Sequence, residues 1–105
     1  MPQWLQAGAT QYLAGDYMGA LDKLDDGTAA GPAEWHVHVF RAAALHALYV
    51  RSGEKDTARR DQALAEVKRC KALEPTRIPD ARAFSPRFID FYQRDGASPQ
   101  ASAAR

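Results

Sequence analysis

Apolar residues recur at intervals of three and four in five separate stretches of this 105-residue chain, and glycine or proline interrupts the pattern between them. That spacing places the apolar side chains of each stretch on one face of a helix. The interruptions fall at Gly15, Pro32, Gly53 and Pro75, residue types that end helices at low energetic cost. The sequence therefore predicts an all-α domain of five helices.

Turn-forming residues bound the first three helices. The first is expected to end after Leu13, because Gly15 can adopt the left-handed backbone that terminates a helix. Asp16 is placed to cap the second helix, which cannot continue into the segment 27–32, rich in glycine, alanine and proline. The third helix is expected over about residues 33–51 and is the longest.

The fourth and fifth helices follow less regular segments. Residues 54–60 form a charged insertion, expected to be an exposed loop or an extra helical turn, and the fourth helix is expected from Asp61. Ser85 followed by Pro86 is typical of an N-cap and a first helical turn, which predicts a fifth helix over about residues 85–96.

The first 32 residues carry the pattern of an antiparallel helical hairpin. Its aromatic, small and turn-forming residues are Trp4, Gly8, Tyr12, Gly15-Asp16-Tyr17, Ala20, Leu24 and Pro32. This pattern resembles a tetratricopeptide repeat (TPR) of bacterial type. The small side chains at Gly8 and Ala20 would allow the two helices to approach closely.

A second, looser copy follows the first. Its matching residues are Leu45, Tyr49, Gly53, Ala63-Leu64, Cys70 and Leu73-Glu74-Pro75. The turn carries a five-residue insertion, and His46 stands where the repeat pattern has a small residue, so a splayed or shifted second hairpin is an open alternative. The resemblance implies a single TPR-like domain over residues 1–96 that forms a short right-handed α-solenoid.

The resemblance also divides the domain into parts. Repeat 1 covers about residues 1–32, repeat 2 covers about residues 33–75, and a capping helix covers about residues 85–96. Residues 97–105, rich in alanine and serine, lack an apolar face and are expected to be a flexible tail.

In TPR stacks the first helix of each repeat lines a concave groove. The matching residues of this chain are Leu5, Ala9, Tyr12, Leu13, Phe40, Ala47, Val50, Arg51 and Arg87. Leu5 and Ala9 depart from the basic and amide residues with which some TPR domains clamp chaperone carboxylates, so that specificity is not expected. The resemblance implies a non-catalytic protein–protein interaction module, an adaptor, scaffold or small subunit whose groove binds a helix or peptide. Arg51 or Arg87 would pair with an acidic residue of that partner.

Nucleic-acid binding is the alternative function. Arginine and lysine are frequent in the second half of the chain and are interleaved with aromatic residues. The aromatics recur at core spacing, however, and acidic neighbours dilute the positive charge, so such binding is the weaker expectation.

The sequence contains no recognisable catalytic arrangement. It lacks a glycine-rich phosphate loop, a nucleophile elbow and a zinc-protease motif. His36, His38 and His46 are spaced so that no two share one side of a helix closely enough to bind one ion. Cys70 is the single cysteine, so no intrachain disulfide can form. Its side chain is most simply interpreted as a buried apolar filler of the core. We therefore expect no enzyme, cofactor or metal site; a small enzyme would depend on His46, the one interior candidate.

Charge is divided unevenly along the chain, although the formal net charge is only +1. Residues 1–34 carry five acidic residues and one basic residue, a charge of −4, and the remainder carries 13 basic and 8 acidic residues, a charge of +5. Two repeats are also fewer than such stacks usually need for independent stability. Both features favour a homo-oligomer or residence in a larger complex.

Localisation is only weakly indicated. No apolar run approaches the length of a membrane span, and the first basic residue is Lys23, so the chain as given favours the cytoplasm. A bacterial envelope location remains open if the natural chain begins earlier. The excess of arginine over lysine, ten to four, together with 21 alanines points to a GC-rich bacterial genome.

Overall fold

The computed structural model describes residues 3–26 and 34–94, and in these ranges the chain forms five α-helices and no strand. They are α1 (Gln3–Leu13), α2 (Tyr17–Asp26), α3 (Glu34–Arg51), α4 (Thr57–Leu73) and α5 (Pro86–Arg94). The predicted all-α class is confirmed. The expectations for the segment 27–32 and the tail 97–105 lie outside the described residues.

A tight turn joins α1 to α2 as the sequence predicts. Gly15 has a backbone φ of 87°, in the left-handed region where a side chain would be strained. The Asp16 side chain accepts a hydrogen bond of 3.0 Å from the backbone N–H of Gly19 and so caps α2. Arg51 of α3 donates a hydrogen bond of 3.0 Å to the carbonyl of Gly15, which ties this turn to the central helix.

Small residues set the close contact between α1 and α2. A methyl group added at Gly8 would lie 2.7 Å from the Cγ and Cδ2 atoms of Leu24, and both Leu24 and Ala20 are fully buried. The Gly8 backbone is therefore packed directly against α2, and the reason given by the sequence for a glycine at this position is confirmed.

Replacing Gly8 with alanine is expected to lower the free energy of unfolding by about 1–2 kcal/mol. The added methyl group must displace Leu24, and this cost exceeds the gain of up to about 1 kcal/mol in helix propensity. Urea unfolding followed by circular dichroism measures the change. Thr10→Ala, an exposed substitution in the same helix, serves as the control and is expected to be near neutral. A Gly8→Ala variant more stable than wild type would contradict the close packing.

Helix α3 is the centre of the domain. It contacts α1, α2, α4 and α5, and Val37, Val39, Ala42 and Ala44 are completely buried along it. Side chains two positions apart point to opposite sides of a helix, so α3 is buried on both sides. Because α3 packs against the other four helices, it determines where their side chains lie relative to one another.

Helix α4 begins one turn earlier than the sequence predicted, at Thr57 rather than Asp61. Asp56 provides the N-cap, because its side chain accepts a hydrogen bond of 3.3 Å from the N–H of Arg59. The charged insertion therefore contributes an extra solvated helical turn, the second of the two predicted alternatives. Buried Ala63, Val67 and Cys70 pack inward from the rest of α4.

Aromatic residues of α5 and of the linker before it pack against α3. The Ser85 hydroxyl accepts a hydrogen bond of 3.2 Å from the N–H of Phe88 and caps α5, as predicted. Phe88, Phe91 and Tyr92 are buried on one face of α5, and Phe84 is buried from the linker before it. The expectation that these aromatics pack into the core is confirmed.

Candidate binding groove

An open groove lies between the α1–α2 turn, one face of α3 and the start of α5. Its volume is about 300 Å³. The lining residues are Tyr12, Tyr17, Ala43, His46, Ala47, Val50, Arg51, Ser85, Arg87 and Phe88. They include two arginines and no carboxylate, so the groove combines an apolar surface with a positive charge.

The groove exists because α3 presents small side chains to it. Ala43 and Ala47 are one helical turn apart, and Val50 continues the same face. Larger residues at these positions would fill the space between α3 and α5. The width of the groove thus follows directly from the sequence of α3.

An aromatic cluster adjoins the groove. The ring of Phe84 lies 5.6 Å from that of Tyr12 and 4.9 Å from that of Phe40, measured between centroids. Burial raises the pKa of the Tyr12 phenol to about 12, and Tyr17 adds to the rise. The Tyr12 hydroxyl therefore remains protonated at neutral pH and can donate a hydrogen bond.

The two arginines of the groove are held differently. Arg51 donates to the Gly15 carbonyl at 3.0 Å, and its guanidinium group lies 4.7 Å from the ring centroid of Tyr17. Arg87 instead pairs with the Glu54 carboxylate at 2.8 Å, between two exposed side chains. Arg51 is therefore oriented by the protein scaffold, whereas Arg87 depends on a surface ion pair.

The structure brings together five of the nine residues that the sequence assigned to the concave face. These are Tyr12, Ala47, Val50, Arg51 and Arg87.

The other four lie elsewhere. Phe40 is buried and packs against Phe84, Ala9 is half-buried against the core, and the side chain of Leu5 lies outside the described residues. Leu13 is 64% exposed and does not line the groove, because it is one helical position from Tyr12 and points about 100° away.

Five further residues line the groove: Ala43, which the repeat resemblance also places on this face of α3, and Tyr17, His46, Ser85 and Phe88, which sequence reasoning did not single out. His46 could have been found, because it lies three positions from Ala43 and four from Val50 on the same face of α3. Ser85 and Phe88 enter the groove only through the path of the chain between α4 and α5.

A polar cluster lies on the other side of α3. His38 Nδ1 donates to Glu66 of α4 at 2.5 Å, and Arg41 Nε lies 3.4 Å from the other oxygen of that carboxylate. His38 and His46 are equally buried, each 7% exposed, so the expectation that His46 is the one interior histidine was wrong. A cavity of about 240 Å³ adjoins this cluster and includes Arg41, Glu66 and Ala65 in its lining.

Cys70 is fully buried, and burial raises the pKa of its thiol to about 12. The thiol therefore stays protonated and unreactive at neutral pH, which confirms the prediction of a buried filler. Within residues 3–26 and 34–94, no three His, Cys, Asp or Glu side chains are grouped closely enough to bind one metal ion.

The arginines of the second half are largely engaged with carboxylates. The pairs are Arg77–Glu74, Arg82–Asp80, Arg87–Glu54 and Arg94–Asp90. The aromatic residues near them in sequence are buried rather than exposed for stacking with bases.

Across the described residues, no helix combines the length and apolar character needed to cross a membrane.

Comparisons with known proteins do not assign the chain to a family. No protein-family model matches the chain, and no curated protein or solved structure is significantly similar to it, so the tetratricopeptide resemblance stays a prediction.

Proposed function

We propose that this protein is a non-catalytic interaction module, a TPR-like adaptor or small subunit, and that the groove binds a segment of a partner protein. The observation that carries the proposal is the composition of the groove. An apolar groove with basic groups at its edge can hold the side chains of a partner helix or extended segment and pair with an acidic residue of that segment.

The dimensions of the groove favour a side chain of a peptide over a whole small molecule. Its volume of about 300 Å³ is at the lower end for ligand pockets, and it is partly open to solvent. A partner segment lying across α3 and α5 would place one large side chain against Ala43 and Ala47 and leave its backbone in solvent.

Nucleic-acid binding is the less supported of the two functions. Such binding would need unpaired basic side chains and accessible aromatic faces. Arg77, Arg82 and Arg94 are paired with carboxylates, and the neighbouring aromatics are buried. Partner-protein binding would instead use the side chains that line the groove.

Replacing Ala47 with aspartate is expected to weaken partner binding at least about tenfold, because the added carboxylate would occupy the apolar trough. The test begins with peptides selected from a random displayed library against the wild-type domain. Their dissociation constants are then measured for wild type and for the variant by fluorescence anisotropy.

Ala65→Asp provides the matched control, since Ala65 is an exposed alanine that lines the cavity on the opposite side of α3. Circular dichroism and thermal unfolding verify that both variants are folded. If Ala65→Asp abolishes binding and Ala47→Asp does not, the partner surface lies on the α2–α4 side and the groove is not the site.

A further inference from the structure

We propose that Glu54 is a built-in competitor for Arg87, and that the groove selects a partner segment in which an acidic residue stands beside an aromatic side chain. In the free protein the Glu54 carboxylate forms an ion pair with Arg87. In the complex a carboxylate of the partner takes the place of Glu54 in that ion pair. This inference rests on the proposed function of the groove.

Arg87 lies at the boundary between two cavities. It lines the groove, and it also lines a smaller polar cavity of about 180 Å³ that contains Glu54, Arg60 and Asp90. His46 is the other residue shared by both linings. In the proposed exchange, rotation of the long Arg87 side chain carries its guanidinium group from the Glu54 side to the groove.

The α3–α4 turn fixes the backbone of Glu54, and the Glu54 carboxylate extends from it to Arg87. Glu54 has a φ of 64°, in the left-handed region that a non-glycine residue adopts only when its surroundings enforce it. Its N–H donates to the carbonyl of Tyr49 at 3.0 Å. The Ser52 hydroxyl accepts hydrogen bonds from the N–H groups of Lys55 and Asp56, at 3.2 and 3.0 Å.

The pair is nevertheless easy to exchange. The Arg87 side chain is 61% exposed and that of Glu54 is 52% exposed, so their attraction is largely screened by water. A partner carboxylate that reaches Arg87 from the partly enclosed groove makes the same ion pair with less screening. Exchange is therefore favourable for an acidic segment, and a neutral segment gains nothing from it.

The aromatic preference follows from the rings around the groove. Tyr12, Tyr17, His46 and Phe88 all line it, and the Phe84 ring of the chain itself packs beside Tyr12 at 5.6 Å. An incoming aromatic side chain can therefore form tilted ring contacts of the kind already present, with Ala43 and Ala47 leaving room for it.

The test uses three synthetic peptides, acetylated and amidated so that no terminal charge is present, and otherwise of glycine and serine. Their central residues are Glu-Phe-Glu, Gln-Phe-Gln and Glu-Ala-Glu. Binding is measured from amide chemical shifts of the protein, with wild type and the variants Glu54→Gln, Arg87→Gln and the double variant. Asp80→Asn and Arg82→Gln, which break an exposed ion pair outside both cavities, are the charge-matched controls.

We expect Glu54→Gln to tighten binding of the Glu-Phe-Glu peptide about threefold and Arg87→Gln to weaken it about fivefold, with neither changing binding of Gln-Phe-Gln. Glu-Ala-Glu should bind most weakly. In the Arg87→Gln background, Glu54→Gln should not change peptide binding further, because the guanidinium group for which Glu54 and the peptide compete is absent.

Two outcomes would overturn the inference while leaving the groove as a binding site. One is equal binding of Glu-Phe-Glu and Gln-Phe-Gln by every variant. The other is an undiminished effect of Glu54→Gln when Arg87 is absent, which would indicate a general field effect and not competition. If none of the peptides binds wild type or Glu54→Gln, both the inference and the proposed function fail.

Discussion

Replacing Phe84 with alanine is expected to lower the free energy of unfolding by about 3–4 kcal/mol. Phe84 is 6% exposed, and its ring contacts those of Tyr12, Phe40 and Phe88. It thus connects α1, α3 and α5 although it belongs to none of them. Alanine would leave a cavity among three helices and weaken the attachment of α5. Urea unfolding should show a lower midpoint with an unchanged denaturant slope.

Ile78→Ala is the matched control for this prediction. Ile78 belongs to the same linker between α4 and α5, but it is 56% exposed. Its replacement is expected to change the free energy of unfolding by no more than about 0.5 kcal/mol. Equal losses for the two variants would mean that the linker is not packed into the core as described.

The helices could be predicted where local chemistry determines them. Gly15 and Ser85 act through backbone conformation and capping, which depend only on near neighbours. The start of α4 was misplaced because Thr57-Ala58-Arg59-Arg60 carries no apolar periodicity. There the Asp56 cap decides the boundary, through its hydrogen bond from the N–H of Arg59.

The candidate groove could be predicted only in part. The α3 face was accessible through the resemblance to tetratricopeptide repeats, since Ala47, Val50 and Arg51, which it assigned to the concave face, line the groove. The contact of Phe84 with Phe40 could not be predicted, because the linker between α4 and α5 has no periodic pattern from which its path follows. The same linker path brings Ser85 into the groove lining.

Contacts between side chains of helices that are distant in sequence could not be predicted. His38 and Glu66 are 28 residues apart, and each is a polar residue on a helix whose exposed side could have held it. Their pairing depends on the axial position of α4 along α3, which tertiary packing sets. Sequence spacing fixes which residues share a face of one helix and does not fix which residues of two helices meet.

The pair on the far side of α3 gives the second large prediction: Glu66→Gln is expected to lower the free energy of unfolding by about 2–3 kcal/mol. The carboxylate accepts from His38 and lies 3.4 Å from Arg41 Nε, with only 16% of its side chain exposed. The glutamine side chain has one acceptor oxygen, which can face either His38 or Arg41. Its NH2 group then faces the other one, and the negative charge that both residues contact is lost. Chemical unfolding at neutral pH measures the loss.

Glu74→Gln makes the same substitution in an ion pair with Arg77 in which both side chains are 42% exposed. We expect a loss of no more than about 0.5 kcal/mol there, and molar salt should remove it because exposed charges are screened. The loss at Glu66 should persist in molar salt, since burial protects that pair from ions. A Glu66→Gln loss that is small, or that salt abolishes, would show that the α3–α4 contact does not depend on this buried carboxylate.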